Sequence, residues 1–134
     1  MSIPVRGGCM CGQIRYLITR EPLVTSLCHC RSCRLATGAP VVAWVIVPLG
    51  GFAFEHGSPA VYRSSPTVER TFCARCGTSL TYQCEDSPGT IDIHTATLDA
   101  PEAFPPAREI WLEDKIGWMA DNPQIAQYPR TSRG

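Results

Sequence analysis

Apolar and polar positions alternate along much of this chain, and each alternating stretch is short. Ile14, Tyr16 and Ile18 are interleaved with Gln13, Arg15 and, in one lapse, Leu17, which predicts a strand with one buried face. Residues 41–47 form a β-branched and aromatic run around Trp44, long enough for a buried strand. Further short strands are predicted at 51–55, 60–63, 68–72, 90–94 and 108–112. Gly57-Ser58-Pro59 and Ser64-Ser65-Pro66 read as turns between them. Helical periodicity is scarce. The best candidate is Arg31–Thr37, with Gly38 placed to stop it in a left-handed cap. From Asn122 onward Pro123, Pro129 and a polar close predict an irregular, mobile tail.

No repeat or low-complexity stretch divides the chain. The expectation is one small all-β domain over 1–134 with very little helix and an irregular tail at 122–134. Gly and Pro, 11 and 12 residues, suit a chain broken into short elements. No apolar run approaches the roughly 20 residues that span a bilayer. Twelve basic and 12 acidic residues cancel, which gives no electrostatic reason to expect nucleic acid or an anionic membrane as partner. The start, Met1 to Arg6, lacks the apolar stretch of a secretory signal, so the expected compartment is the reducing cytoplasm.

Cysteine spacing changes the picture most. Seven of the eight cysteines fall into two sets: Cys9 and Cys11 with Cys73 and Cys76, and Cys28, Cys30 and Cys33. An extended Cys-x-Cys segment points both thiols to one face, which suits a shared ion and not a mutual disulfide. Four thiols complete a closed tetrahedral zinc site, whereas three leave a position for water or substrate. The first set is expected to hold a structural zinc that closes a loop of roughly 60 residues. Arg70 and Arg75 are candidates to offset its negative charge. A redox Cys73/Cys76 pair is the competing reading, but it calls for a βαβ context that this pattern lacks.

The second set is expected to hold a catalytic and labile zinc through Cys28, Cys30 and Cys33, with Cys33 on the first helical turn. Its fourth ligand is open between Cys84, more simply a small packed side chain, and His94. His94 is also a candidate to face the substrate; an ordinary hydrogen-bonded histidine is its bland alternative. His29 should point away from the ion and His56 should lie on the surface. Zinc rich in thiolates activates water poorly but holds an added thiol deprotonated, so the ligand type points to thiol chemistry.

Several segments carry a resemblance: Gly7-Gly8-Cys9-Met10-Cys11-Gly12, Cys28 to Pro40, Phe72 to Leu80, Ala96-Thr97-Leu98-Asp99 and Ile110-Trp111. In these the chain resembles the glutathione-dependent formaldehyde-activating enzyme family, and the resemblance places the domain core at about 7–118. The resemblance implies a twisted all-β fold of the Mss4-like type and the two zinc sets named above. It also implies a carbon–sulfur lyase that condenses formaldehyde with glutathione to S-hydroxymethylglutathione, with small-molecule thiol and aldehyde as partners. A tripeptide with two carboxylates would want basic groups near the metal, and Arg31 and Arg34 flank Cys33 on one helix face. Two departures leave the thiol and the electrophile open. Arg108-Glu109-Ile110 stands where relatives carry a histidine near Glu109, and His94 stands where a small residue is common. The alternative from another class is a non-catalytic zinc-stapled module that binds a partner or carries metal.

Overall fold

The structure is a computed structural model that describes residues 3–133. Met1, Ser2 and Gly134, which the single-domain expectation includes, lie outside the described residues. In chain order the first six strands are β1 (Val5–Gly8), β2 (Arg15–Ile18), β3 (Val24–Cys28), β4 (Val42–Pro48), β5 (Phe52–His56) and β6 (Ala60–Ser65). Then follow β7 (Val68–Phe72), β8 (Ser79–Cys84), β9 (Thr90–His94), β10 (Arg108–Ile110) and β11 (Ala126–Gln127). Helix α1, Arg31–Thr37, is the one α-helix among the described residues, and Gly38 ends it at φ 70°.

Two sheets share these strands. One is three-stranded in the order β1-β2-β5; the other is eight-stranded in the order β11-β10-β3-β4-β9-β8-β7-β6. Neighbours are antiparallel except β10, which runs parallel to both β3 and β11. Alternation then gives the large sheet two different faces. On one, Val45, Val47, Ile91 and Ile93 pack against Ile14, Tyr16 and Ile18 from the small sheet to make the main core. Each such side chain contributes about 1.5–3 kcal/mol when fully buried, so this face carries most of the apolar stabilisation. Here Gly7 is required: a Cβ would collide with the Tyr16 hydroxyl and the Thr97 carbonyl.

The opposite face holds a smaller cluster of Cys28, Cys33, Val42 and Trp44. Cross-strand register lays it out in rows. Arg108, Ser26, Trp44 and His94 are successive partners across β10, β3, β4 and β9, and Ile46, Asp92, Tyr82 and Arg70 across β4, β9, β8 and β7.

Three expectations need correction. Strands β1, β3, β8 and β11 go beyond the sequence reading. The tail is tied down: Ala126 and Gln127 pair with Arg108 and Glu109, and Trp111 N–H donates to the Arg130 carbonyl at 2.8 Å. The strand predicted over 108–112 stops at Ile110, because Trp111 adopts φ 60° and turns the chain.

Candidate functional site

Cys9 and Cys11 lie on the turn between β1 and β2, closed by Gly12 N–H to the Cys9 carbonyl at 3.1 Å. A turn therefore brings the two thiols to one side, not the extended geometry expected. Cys73 and Cys76 lie on the turn between β7 and β8, where Gly77 at φ 82° donates to the Cys73 carbonyl at 2.8 Å. Backbone N–H groups face the sulfurs: Ile14 reaches Cys9 Sγ at 3.2 Å and Cys76 reaches Cys73 Sγ at 3.4 Å. The Thr78 hydroxyl and N–H hold the Cys76 thiol down to about 5.

Sulfur separations test the fit of a metal. A tetrahedron with metal–sulfur bonds of about 2.3 Å has edges of about 3.8 Å. Cys9 Sγ lies 3.5 Å from Cys11 Sγ, which lies 3.8 Å from Cys73 Sγ, and all four sulfurs fall within 4.8 Å of one another. This set could hold one metal ion with every position filled. All eight cysteines are free thiols, and Cys73 is buried among core side chains between two strands, without the flanking helix of a redox Cys-x-x-Cys.

The second set gathers as its spacing suggests. Cys28 closes β3, Cys30 caps α1 in extended backbone and Cys33 sits one turn in; the three sulfurs also lie within 4.8 Å of one another. Cys33 N–H donates to Cys30 Sγ at 3.3 Å. In this group hydrogen bonds from the Cys28 and Cys33 thiols, then the Cys33 N–H and Arg70, hold Cys30 down as the thiolate. The same bonds, together with burial, push Cys28 up. The donor set suits a thiophilic ion with one position left over.

These three cysteines line a cavity of about 650 Å³ whose floor is the second face of the large sheet. Trp44, Tyr82, Asp92 and Arg108 line it from that face, and the exposed Arg31 and Arg133 line it from the helix and the tail. That volume falls within the range of small-molecule sites. Arg133 and its neighbours come from the tail, so the segment expected to be mobile supplies part of the wall.

Arg70 is the residue whose place was misread. It is 9% exposed, and both terminal nitrogens lie 3.9 Å from Cys33 Sγ, at the open set and not the closed one. Three residues along an extended strand reverse the face, so Arg70 and Cys73 point to opposite sides of the sheet. The guanidinium also sits 5.0 Å above the Tyr82 ring and donates to Ser64 Oγ at 3.2 Å. Arg75 is exposed.

The remaining candidates separate. Arg31 lines the cavity, while Arg34 turns back to the His29 carbonyl at 3.4 Å. His29 is fully buried and points away from the sulfurs, its Nε2 2.9 Å from Glu109 Oε1; Gln127 donates to the other Glu109 oxygen at 2.9 Å. His56 is exposed. His94 packs against Trp44, the rings tilted by 44° with centres 4.1 Å apart, and burial, then Arg70, lowers its pKa to about 4, so it is neutral at pH 7. Cys84 lies in the cavity wall, 3.9 Å from Thr67 Oγ1 and outside the three-sulfur group.

Asp92 escaped the sequence reading. Burial raises its pKa to about 7, against smaller opposing effects of Arg108 and Arg70. The unfolded carboxyl ionises near 3.8, so between that pH and 7 the folded state binds the extra proton and stability falls as pH rises. Asp92→Asn is expected to flatten this dependence and to stabilise the protein by about 1–3 kcal/mol at pH 8, with little gain at pH 4. Urea denaturation at the two pH values measures it; an equal effect at both would refute the assignment.

Comparisons with known proteins fit this geometry. The crystal structure of a Rhodobacter sphaeroides protein superposes with a TM-score of 0.61, at 20% identity, over 92% of this chain and 98% of that one; it shares the fold. An uncharacterized lyase of Schizosaccharomyces pombe is 27% identical over 109 residues, 81% of this chain and 79% of that protein. A Halomonas elongata protein, whose name provisionally makes it a glutathione-dependent formaldehyde-activating enzyme, is 28% identical over 127 residues, 86% of this chain and 79% of its own. The profile of the family described as glutathione-dependent formaldehyde-activating enzyme matches residues 4–114. With both cysteine groups and the helix between them inside that span, the chain belongs to the glutathione-dependent formaldehyde-activating enzyme family.

Proposed function

We propose that this chain is a zinc-dependent carbon–sulfur lyase that adds a small thiol such as glutathione to an aldehyde such as formaldehyde, and releases it in reverse. One observation carries the reading: three sulfurs open onto a cavity of about 650 Å³, apart from a second, complete set of four. A scaffold needs only the complete set. Cys9, Cys11, Cys73 and Cys76 would hold a structural zinc, and Cys28, Cys30 and Cys33 a catalytic one. When bound there, zinc supplies a site that keeps an incoming thiol deprotonated at neutral pH.

The chain's own residues do the rest. Arg31, Arg108 and Arg133 offer guanidinium groups to the carboxylates of a peptide thiol. Asp114 lines the same cavity and suits an ammonium group. Arg70, beside Cys33, can donate to the aldehyde oxygen as negative charge develops there. His94 stays neutral and holds the Trp44 face of the floor. Seven thiols held ready for metal suit a reducing compartment, and the cytoplasm is the expected location. Among the described residues no helix is long and apolar enough to cross a membrane.

Zinc content and activity test this together. Protein purified without chelators is expected to carry two zinc ions, and Cys30→Ser one, with an unchanged circular dichroism spectrum. Thiol–aldehyde addition should fall by at least about 100-fold, beyond the 10- to 100-fold typical of losing a partner outside the ligand set. One zinc in both proteins would leave a metal-stapled binding module and end the enzymatic reading.

A further inference from the structure

A second cavity, of about 570 Å³, lies on the other side of Arg70 between α1 and strands β6 to β8. The two cavities share Ser32, Ser64 and Arg70, so Arg70 stands in the wall between them, beside Cys33 Sγ. Their chemistry differs. The cysteine cavity carries four arginines, Arg31, Arg70, Arg108 and Arg133, and several aspartates. The second has Arg70 as its one arginine and no carboxylate; Leu35, Ala36, Tyr62 and Phe72 line it together with serine and threonine hydroxyls and His94. Leu35 and Tyr62 are 64% and 62% exposed, large apolar groups left facing water at its edge.

Thiol–aldehyde addition needs two reactants that meet at one sulfur. The cavity rich in arginine and aspartate suits a peptide thiol, which leaves the one with few charges to the electrophile. Formaldehyde, a single carbon and oxygen, would leave nearly all of that space empty. We infer that the second cavity holds an apolar substituent of the aldehyde, so that the chain accepts aldehydes bearing an alkyl or aryl group; this rests on the thiol–aldehyde reading above. The carbonyl lies at Arg70, its oxygen accepting from the guanidinium and its carbon facing the thiol sulfur. A carbon–sulfur bond forms, the π pair of the carbonyl moves to oxygen, and the proton lost by the thiol ends there, giving a hemithioacetal. Atoms and charge balance without a further reactant. The chain or ring of the aldehyde then runs between α1 and β6–β8 and covers Leu35 and Tyr62.

The test uses the zinc-loaded protein with glutathione and three aldehydes: formaldehyde, propanal and hexanal. Propanal and hexanal have similar intrinsic reactivity, and hexanal adds three methylenes. Each methylene buried is worth on the order of fourfold, so kcat/KM should rise about 50-fold from propanal to hexanal. Ala36→Trp, at an exposed helix position that would fill the cavity, should cut that ratio to below about fivefold. Leu35→Glu, at the rim, should cut it in the same direction and guards against misfolding of the first variant. Turnover of formaldehyde with a flat ratio in the wild type would overturn the inference and leave the proposed function standing. A steep ratio unchanged in both folded variants would also overturn it, because the chain would then lie elsewhere. No turnover of any aldehyde would defeat the thiol–aldehyde reading itself, and the inference with it.

Discussion

Cys73→Ser is expected to leave no cooperatively folded protein at 25 °C. Cys73 is 1% exposed, packs within the main core and contributes one corner of the four-sulfur group. Structural zinc contributes about 10–16 kcal/mol of apparent binding free energy in small zinc-dependent folds. A domain has about 5–15 kcal/mol of net stability in total. With the proposed zinc in the closed set, losing one of its four thiols would remove more than the fold can spare. The turns at Cys9 to Gly12 and Cys73 to Gly77 join β1 to β2 and β7 to β8, so a metal between them links the two sheets directly. Circular dichroism across a urea titration measures the effect. A cooperative transition within about 2 kcal/mol of the wild type would mean that apolar packing, not a metal, holds the sheets together.

Glu109→Ala should be the next most damaging change, although Glu109 is not a proposed ligand. It sits on β10, 2% exposed, and accepts from Gln127 while pairing with His29 Nε2 at 2.9 Å. His29 Nδ1 is already buried without a hydrogen-bond partner among the described residues. Removing the carboxylate would leave both ring nitrogens unsatisfied. Leaving a buried polar group unsatisfied in this way costs about 1–3 kcal/mol, equivalent to a fall in Tm of about 4–12 °C at this size. Because His29 lies between Cys28 and Cys30, the loss should also loosen the open cysteine set. The double variant His29→Leu/Glu109→Met should regain most of the stability, since it leaves no buried polar group alone. A double variant as unstable as the sum of its single changes would show that packing volume, not the pair, sets the cost.

What the sequence discloses follows the range of the interactions. Helix α1 is legible because its stop signal is local, Gly38 after Thr37; the Cys30 cap emerges only in the structure. Strand β4 was legible from its density of β-branched residues. Strand β1 was not, because Gly7 and Gly8 argue against a strand, while Gly7 is glycine to admit the Tyr16 hydroxyl from β2. Strand β3 hid behind Thr25 and Ser26; Ser26 is polar and 1% exposed because Arg108 donates to it from β10 at 2.7 Å. Strand β8 lost its alternation at Leu80, where the register with β7 shifts and the side chain turns into the core. The cysteine sets were legible from spacing alone. The cavity floor was not, for Asp92, Tyr82 and Arg70 share it only through the pairing of β7, β8 and β9.

The large sheet keeps its two occupations on opposite surfaces. Packing against the small sheet and the four-sulfur group belongs to one surface; the cavity and the three-sulfur group belong to the other. Changes on the cavity surface therefore draw little on the contacts that make the protein fold. Single changes at Asp92, or at the exposed Arg31 and Arg133, are expected to leave the protein folded. The architecture thus separates what holds the shape from what would choose the molecule consumed.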